Sequence, residues 1–239
     1  MDFYTSFPYF LTISLVVLAI WRKTPAAKGR TGERHVSKQL RRCRGYVVLN
    51  DIMIRRNDGA TTQIDHVAVG PAGVYVIETK NYRAQVEGNR YDDTWYVGCH
   101  PVHNPIQQNY GHVCALRELL GDDTLPFHSL VVFPDDTEVN VFADEICSVS
   151  EMKAEIICCH DDVLSPDRIK DIAARIKEAN ISSTKERRAH VHRTRVKSGR
   201  LGFYGMLHIC PDCGKHLSTF TRGGQKHLYC KSCGFRQHK

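Results

Sequence analysis

Two short apolar strands joined by a Gly/Pro turn restrict the possible folds of this chain more than any other feature. The first strand runs from Gln63 to Val69 and the second from Val74 to Lys80, with Gly70-Pro71-Ala72-Gly73 between them. Strands rich in Val and Ile on both sides of such a turn predict a β-hairpin. Apolar residues on both faces indicate central strands that are covered on both sides.

The predicted hairpin brings three charged residues onto one face. When the strands pair symmetrically about the turn, Asp65 lies opposite Glu78, with Cβ atoms roughly 5 Å apart. Lys80 follows Glu78 by two residues and shares that face, whereas His66 points to the other face as a core histidine. Two opposed carboxylates among apolar residues repel each other and resist burial. A divalent metal ion together with Lys80 would stabilise them; a purely structural ion pair of Lys80 with the two acids is the alternative.

Two helices are predicted to flank the strands. Residues 31–44 have helical spacing, and Glu33 lies on the same inward stripe as Val36. Glu33 either has a partner in the charged face of the hairpin or only stabilises the first turn through the helix dipole. Asn104-Pro105 predicts the start of a second helix, with Asn as the cap and Pro at the first helical position.

The elements follow in the order α-β-β-β-α-β, which predicts a mixed sheet with helices on its faces, of the α/β (α+β) class. We expect the chain to divide into five segments. They are an apolar anchor at 1–22, a linker at 23–30, the mixed-sheet domain at 31–180, a flexible basic linker at 181–205 and a small module at 206–239.

Four of the ten cysteines have the spacing of a metal site. Two Cys-x-x-Cys pairs, Cys210/Cys213 and Cys230/Cys233, can present four thiolates to one Zn²⁺ ion in a tetrahedron. A module this small needs a metal ion or disulfides to fold, so we expect structural zinc, with a hairpin around Gly223-Gly224. Scattered cysteines elsewhere among apolar residues indicate a reducing compartment.

Positive charge is concentrated in the tail. Residues 181–239 hold 13 Lys and Arg against 2 Asp and Glu, which leaves the first 180 residues with a net charge of −4. A basic tail favours nucleic acid or an anionic membrane surface as partner, and a solvated linker is the alternative.

An apolar run at residues 3–21 precedes the first basic residues, Arg22 and Lys23. Its length just reaches the lower limit for a membrane-spanning helix, and neither a preceding cation nor a cleavage site of a signal peptide is present. The positive-inside rule then predicts a single-pass anchor in the inner (cytoplasmic) membrane, with the N-terminus outside and the main body in the cytoplasm. The alternative is a helix that lies on the membrane or packs on a partner.

Four strings within residues 30–150 together resemble the nuclease-related domain (NERD) family of the PD-(D/E)xK nuclease superfamily. They are Gly32-Glu33, Gln63-Ile64-Asp65-His66-Val67, Ile77-Glu78-Thr79-Lys80-Asn81-Tyr82 and Asn104-Pro105-Ile106-Gln107-Gln108-Asn109. The chain departs from the family pattern at Arg83-Ala84, where a turn glycine is usual, and we expect this to alter a loop and not the metal site.

This resemblance implies a restriction-endonuclease-like core that binds Mg²⁺ or Mn²⁺ and hydrolyses phosphodiester bonds. Asp65, Glu78 and the Thr79 carbonyl would hold the ion, with Glu33 bound directly or through water. Lys80 would orient the attacking water or stabilise developing charge, and Gln63 would assist as the fifth catalytic residue. Gln107 either contacts the site from the second helix or is an exposed helical residue.

The cysteine module resembles the four-cysteine zinc ribbons of bacterial type I topoisomerases, which bind single-stranded DNA. Charged and aromatic residues in it could contact a nucleic-acid strand; they are Arg222, Lys226, Tyr229, Lys231, Phe235 and Arg236. The chain is therefore expected to be a membrane-anchored, metal-dependent nuclease acting on DNA. The alternatives are an inactive nucleic-acid-binding protein and a membrane-tethered adaptor whose ribbon binds a protein.

Overall fold

The computed structural model of the chain describes residues 25–157, 162–195, 216–222 and 225–229. The elements in chain order are α1 (Pro25–Leu40), β1 (Val47–Arg55), β2 (Thr61–Gly70), β3 (Gly73–Thr79), β4 (Val86–Glu87), β5 (Thr94–Val97), β6 (His100–His103), α2 (Pro105–Leu120), β7 (Phe127–Phe133), β8 (Val139–Asn140), β9 (Ile146–Ser148), α3 (Met152–Ile157), α4 (Pro166–Glu178), α5 (Thr184–Arg195), β10 (Ser218–Arg222) and β11 (Gln225–Tyr229).

A five-stranded mixed sheet in the order β1-β2-β3-β7-β9 forms the centre of the fold. The first three strands are antiparallel, while β7 pairs with β3, and β9 with β7, in parallel. A second sheet, in the order β6-β5-β4-β8, is built between β3 and α2 and from the segment after β7. The mixed α/β class is therefore confirmed, with the second sheet as an addition to the predicted core order.

The predicted hairpin is confirmed with its register. His66 pairs with Ile77 and Gly70 with Gly73, so the next pair beyond the ladder is Asp65 with Glu78. Gly73 has a φ of +127° and closely approaches the Pro126 backbone, a conformation and a space that only glycine accepts.

Helices cover both faces of the central sheet. On one face, α2 and α4 pack on an aliphatic cluster that includes Ile64, Val76 and Leu116. On the other face, α1 and α3 pack on a cluster that includes Val36, Tyr75 and Met152. Burial on both faces explains why β2 and β3 have apolar residues at nearly every position.

Helix α1 begins earlier than the sequence indicated. The segment 23–30 was expected to be a linker, but the helix already starts at Pro25. Proline suits the first helical position because its φ is fixed near the helical value and its missing N–H is not needed there. Further along, a Cβ on Gly32 would lie 3.1 Å from Cβ of Asn81. Glycine thus lets α1 approach the end of β3 closely.

Strand β1 carries a backbone irregularity at Asp51. This residue has a φ of +55°, which is unusual for a residue other than glycine. Leu49 and Ile52 pack in the same apolar cluster although they are three positions apart in the strand, so the alternation of faces shifts by one between them. The side chain of Asp51 therefore does not follow the alternation of faces that a regular strand would give it.

Helix α5 stands where the sequence indicated a flexible basic linker. Arg187 donates from both terminal nitrogens to Asp51, to each carboxylate oxygen at 2.9 Å and to the backbone carbonyl at 2.7 Å. Just before the helix, the Ile181 amide donates to the Met53 carbonyl, and Asn180 accepts from the Met53 amide. These contacts fix the segment against the edge strand β1, which explains why a helix with little apolar surface is ordered.

Strands β10 and β11 form the antiparallel hairpin predicted around Gly223-Gly224. The four cysteines predicted to bind zinc, as well as Lys231, Phe235 and Arg236, lie outside the described residues, and so does the apolar run at 3–21. In the part of the chain that the structure describes, no helix combines the length and apolar character needed to span a bilayer.

Acid should destabilise the fold through His66, which is buried on the α1 face of the sheet. Its Nδ1 lies 2.7 Å from the Asn50 side-chain oxygen, and its buried Nε2 has no hydrogen-bond partner among the described residues. Burial lowers the pKa of His66 to about 4, so the unfolded chain binds a proton at a higher pH than the folded chain does.

We therefore expect this histidine to remove about 2 kcal/mol of unfolding free energy between pH 7 and pH 5. Urea unfolding at the two pH values measures the loss, and the variant His66→Gln should show a smaller one. An equal loss in both proteins would contradict this account.

Candidate active site

Glu78 is the buried centre of the charged face that the hairpin predicted. It stands near the C-terminal end of β3, beside β2 on one side and β7 on the other. Its Oε1 accepts hydrogen bonds from Lys80 Nζ at 2.7 Å and from Gln108 Nε2 at 2.8 Å. Lys80 is also buried, so the two opposite charges stabilise each other in a low-dielectric environment.

Helix α2 completes this environment with two side chains. Gln108 accepts from Lys80 Nζ at 2.9 Å while it donates to Glu78, so its amide joins both members of the ion pair. One turn later, His112 places Nε2 3.3 Å from the second oxygen of Glu78 and Nδ1 2.8 Å from the Thr62 hydroxyl. Both carboxylate oxygens of Glu78 therefore face donors.

Gln107, for which contact with the site and exposure on the helix were both left open, does not reach this centre. It donates weakly to the backbone carbonyls of Tyr91 and Asp92, at 3.4 and 3.3 Å. Its neighbour Gln108 contacts Glu78 instead, because one residue of helix turns a side chain by about 100°. Asn104 caps the helix as predicted, with its side-chain oxygen accepting from the Ile106 amide at 2.9 Å.

Asp65 lies next to Glu78, where the hairpin register places it. Its Oδ2 accepts from the Thr79 amide at 2.9 Å. Burial and the negative charge of Glu78 raise the pKa of Asp65 well above its usual value, with Glu33 as a further contributor. Burial alone would also raise the pKa of Glu78, but Lys80 and His112 outweigh it and lower that pKa to about 2. The repulsion between the two carboxylates therefore raises the pKa of Asp65, whereas the pKa of Glu78 stays low.

Two more carboxylates approach from neighbouring elements. Glu33 on α1 is half-buried, and burial, Asp51 and Glu78 raise its pKa, in that order of effect. Asp51, at the irregularity of β1, accepts from Gln63 Nε2 at 2.6 Å. Gln63 was expected to share the face of Asp65 and to assist in catalysis; in the structure its amide donates to Asp51.

The donor set can hold a hard cation. Carboxylate and carbonyl oxygens are the ligands that Mg²⁺ prefers. Burial first, and then neighbouring acids, raise the pKa values of Asp65 and Glu33. Lys80 opposes this shift at Asp65 and lowers the pKa of Glu78. Within the described ranges, no three His, Cys, Asp or Glu side chains lie close enough together to share one ion. Any ion here would therefore need Asp65 and Glu78 to be supplemented by backbone oxygen or water.

The sequence reasoning missed three residues of this centre. Gln108 and His112 follow Asn104 in the predicted helix, and their spacing of four residues places them on one face. That spacing was a usable signal. Asp51 gave a weaker signal, an acid after Asn50 in an otherwise apolar strand, since Asn and Asp tolerate a positive φ better than other residues do.

Comparison with known proteins places this geometry in a family context. Residues 28–134 match the family described as NERD, nuclease-related domain. An uncharacterized protein of Bacillus anthracis is 30% identical over 181 residues, which cover 71% of this chain and 85% of that protein. A crystal structure of a protein of unknown function aligns with 69% of this chain and 96% of its own, at 14% identity and a TM-score of 0.29. A similarity that low does not establish a shared fold.

The different roles of Gln107 and Gln108 should appear as different changes in the free energy of unfolding when each is replaced. Gln108→Leu should lower the unfolding free energy by about 1–3 kcal/mol, because it removes hydrogen bonds to two buried charges. The matched variant Gln107→Leu should change it by less than about 0.5 kcal/mol, since that amide makes only long contacts at the surface. Chemical denaturation of both variants checks this, and equal losses would mean that Gln108 does not support the ion pair.

Proposed function

We propose that this chain, which belongs to the nuclease-related domain family, is a metal-dependent nuclease that hydrolyses phosphodiester bonds of DNA. The observation that carries the proposal is the arrangement of Asp65, Glu78 and Lys80 at the end of one hairpin, with Glu33 near it. Such an acid pair with a lysine suits phosphoryl chemistry, which needs a site for a cation and stabilisation of developing negative charge. The order of α1, β1–β3, α2 and β7 around it supports a restriction-endonuclease-like core.

Asp65 and Glu78, with the Thr79 carbonyl, would hold Mg²⁺ or Mn²⁺. Of the two modes expected for Glu33, binding through water fits the structure, because no three such side chains of the described residues lie close enough to share one ion. The bound ion would supply a polarised phosphate oxygen and a more acidic water. Lys80 Nζ is fixed by Glu78 and Gln108, so it can stabilise the negative charge on the phosphate without having to reorganise. Its raised pKa, sustained by Glu78 against the effect of burial, keeps it protonated for this role.

His112 would act on the site only through Glu78. It lies between that carboxylate and the hydroxyl of Thr62. A hydrogen on Nε2 would point at Glu78, and Nδ1 lies within hydrogen-bond distance of the Thr62 hydroxyl. His112 is thus a positioning residue that holds the Glu78 carboxylate in one orientation.

The C-terminal module fits a role in gripping the substrate. In this proposal Cys210, Cys213, Cys230 and Cys233 bind structural Zn²⁺. The hairpin of β10 and β11 then presents a surface to DNA, with charged and aromatic residues along and beyond it; these are Arg222, Lys226, Tyr229, Lys231, Phe235 and Arg236. Residues 3–21 would anchor the protein in the inner membrane, with the nuclease domain in the cytoplasm.

A second candidate function is nucleic-acid binding without turnover. The observation that favours it is the crowding of Glu78, since Lys80 and Gln108 donate to one of its oxygens and His112 lies 3.3 Å from the other. A metal ion would have to compete with these groups for Glu78. A measurement of DNA cleavage therefore distinguishes a nuclease from a protein that only binds nucleic acid.

The nuclease proposal predicts cleavage that depends on a divalent ion. The purified full-length chain with Mg²⁺ or Mn²⁺ should nick supercoiled plasmid or degrade single strands. Asp65→Asn and Lys80→Met should each reduce the rate at least about a hundredfold, because each removes a group that contacts the ion or the phosphate. Gel assays of the initial rate measure this.

Glu118→Gln is the matched control, since this carboxylate is exposed on α2 and away from the charged centre. It should cleave at the wild-type rate. Equal cleavage by wild type and both site variants would refute the assignment of the site, and a wild type that binds DNA but never cleaves it would favour the second candidate.

The zinc module predicts one tightly bound zinc ion per chain. Replacing both Cys210 and Cys213 with Ser should remove the ion, because two thiolates cannot complete a tetrahedral site. Elemental analysis of dialysed protein gives the stoichiometry. Cys99→Ser is the control, since Cys99 is an exposed free thiol outside the module, and loss of zinc in that variant would contradict the assignment.

A further inference from the structure

The outer face of α1 carries a row of cations that the overall charge conceals. The first 180 residues are net negative, yet residues 28–44 hold seven Lys and Arg against the single acid Glu33. Four of these cations are exposed and spaced three or four residues apart, and we call them the α1 stripe; they are Arg30, Arg34, Lys38 and Arg41. The amide of Arg41 still donates to the Ser37 carbonyl at 3.1 Å, so the helical geometry continues to the end of the stripe.

Helical spacing places the α1 stripe opposite the buried face of the helix. Residues four apart lie on the same side, about 6 Å from one another along the axis. Val36 and Leu40 face the core, and the stripe is rotated roughly half a turn away from them. The result is a row of positive charge about 16 Å long, since Arg30 and Arg41 are 11 helical steps of about 1.5 Å apart.

The stripe begins at the candidate active site. Glu33, which shares its acidic environment with Asp51 and Glu78, lies in the same helical turn as Arg30 and Arg34. Both arginines act on Glu33 electrostatically, in the direction opposite to that of the two acids. The other end of the stripe lies at the opposite end of α1, so the line of charge leads away from the charged centre.

We propose that the α1 stripe binds the sugar–phosphate backbone of a nucleic-acid strand and aligns it with the charged centre at Glu78. This rests on the proposed function, since the partner is the substrate of that site. A polyanion with regularly spaced charges matches a regular row of cations, and such contacts position a strand without reading its sequence. The alternative partner is an anionic membrane surface, but the stripe's origin beside Glu33 favours a ligand that must reach the site.

The test compares two double variants of the full-length chain in detergent, in buffer without divalent ions so that no cleavage occurs. Arg34→Ala with Lys38→Ala removes the middle of the stripe. Lys170→Ala with Lys177→Ala removes two exposed cations from α4, on the other face of the sheet. Fluorescence anisotropy with a labelled poly-dT oligonucleotide gives the dissociation constant over a range of salt concentrations.

The stripe variant should bind roughly tenfold more weakly at low salt, and its salt slope should fall by about 1.4, or about 0.7 for each lost phosphate contact on a single strand. The α4 variant should match wild type in both quantities, and Arg34→Lys with Lys38→Arg should restore binding because it keeps the charge. Equal affinities and slopes for the stripe and α4 variants would overturn the proposal.

Vesicles provide the arm for the membrane alternative. Binding of the wild type and of the stripe variant is measured with two kinds of vesicle. One contains phosphatidylcholine alone, and the other contains phosphatidylcholine and phosphatidylserine in equal parts. If the stripe variant loses its preference for the anionic vesicles but keeps its affinity for the oligonucleotide, the proposal is wrong and the stripe serves the membrane.

Failure of the nuclease proposal would look different. A wild type without cleavage whose DNA binding still depends on the stripe would leave this inference standing. A wild type that cleaves DNA with a stripe variant of unchanged affinity would refute the inference alone.

Discussion

The buried ion pair between Glu78 and Lys80 is the constraint around which the rest of the site is arranged. Taking two charges out of water costs several kcal/mol per ion, and their attraction compensates only when further hydrogen bonds satisfy them. Gln108 and His112 supply these contacts from α2, so the helix must be docked on the sheet in one position. Asn109, next in the helix, fixes that position because it donates to the backbone of both β3 and β7.

Three more carboxylates surround this pair, and one of them, Asp51, is itself paired with Arg187. Asp65, Glu33 and Asp51 approach from three different elements, and the first two have raised pKa values. A site made only for stability would gain by replacing such acids with apolar residues. A carboxylate as buried as that of Asp65 is therefore costly as a purely structural feature, and cation binding is the function we propose for it. The cations of α1 lie outside this cluster, where they can act on an anionic ligand.

Local patterns in the sequence were enough to predict the hairpin and the opposition of Asp65 and Glu78. Alternation with period two and a Gly/Pro turn determine strand register directly, and Asn104-Pro105 marks the start of α2 for similarly local reasons. The failures have tertiary causes. Helix α5 depends on the contacts of Arg187 with Asp51, and the positive φ of Asp51 depends on its neighbours in the fold. Gln108 was missed, and Gln107 was left open between contact and exposure, because a choice between adjacent helical residues requires the exact angle at which α2 docks.

The docking of residues 180 and 181 on β1 also affects how the molecule behaves at high concentration. The outer edge of a sheet presents unpaired N–H and C=O groups that can recruit a strand from another chain. At Met53 both groups are already occupied, by Ile181 and by Asn180. The segment that leads into α5 therefore protects this edge from intermolecular pairing. A truncation placed before Asn180 would remove that protection, and the shortened domain would be more prone to self-association than its apolar core alone suggests.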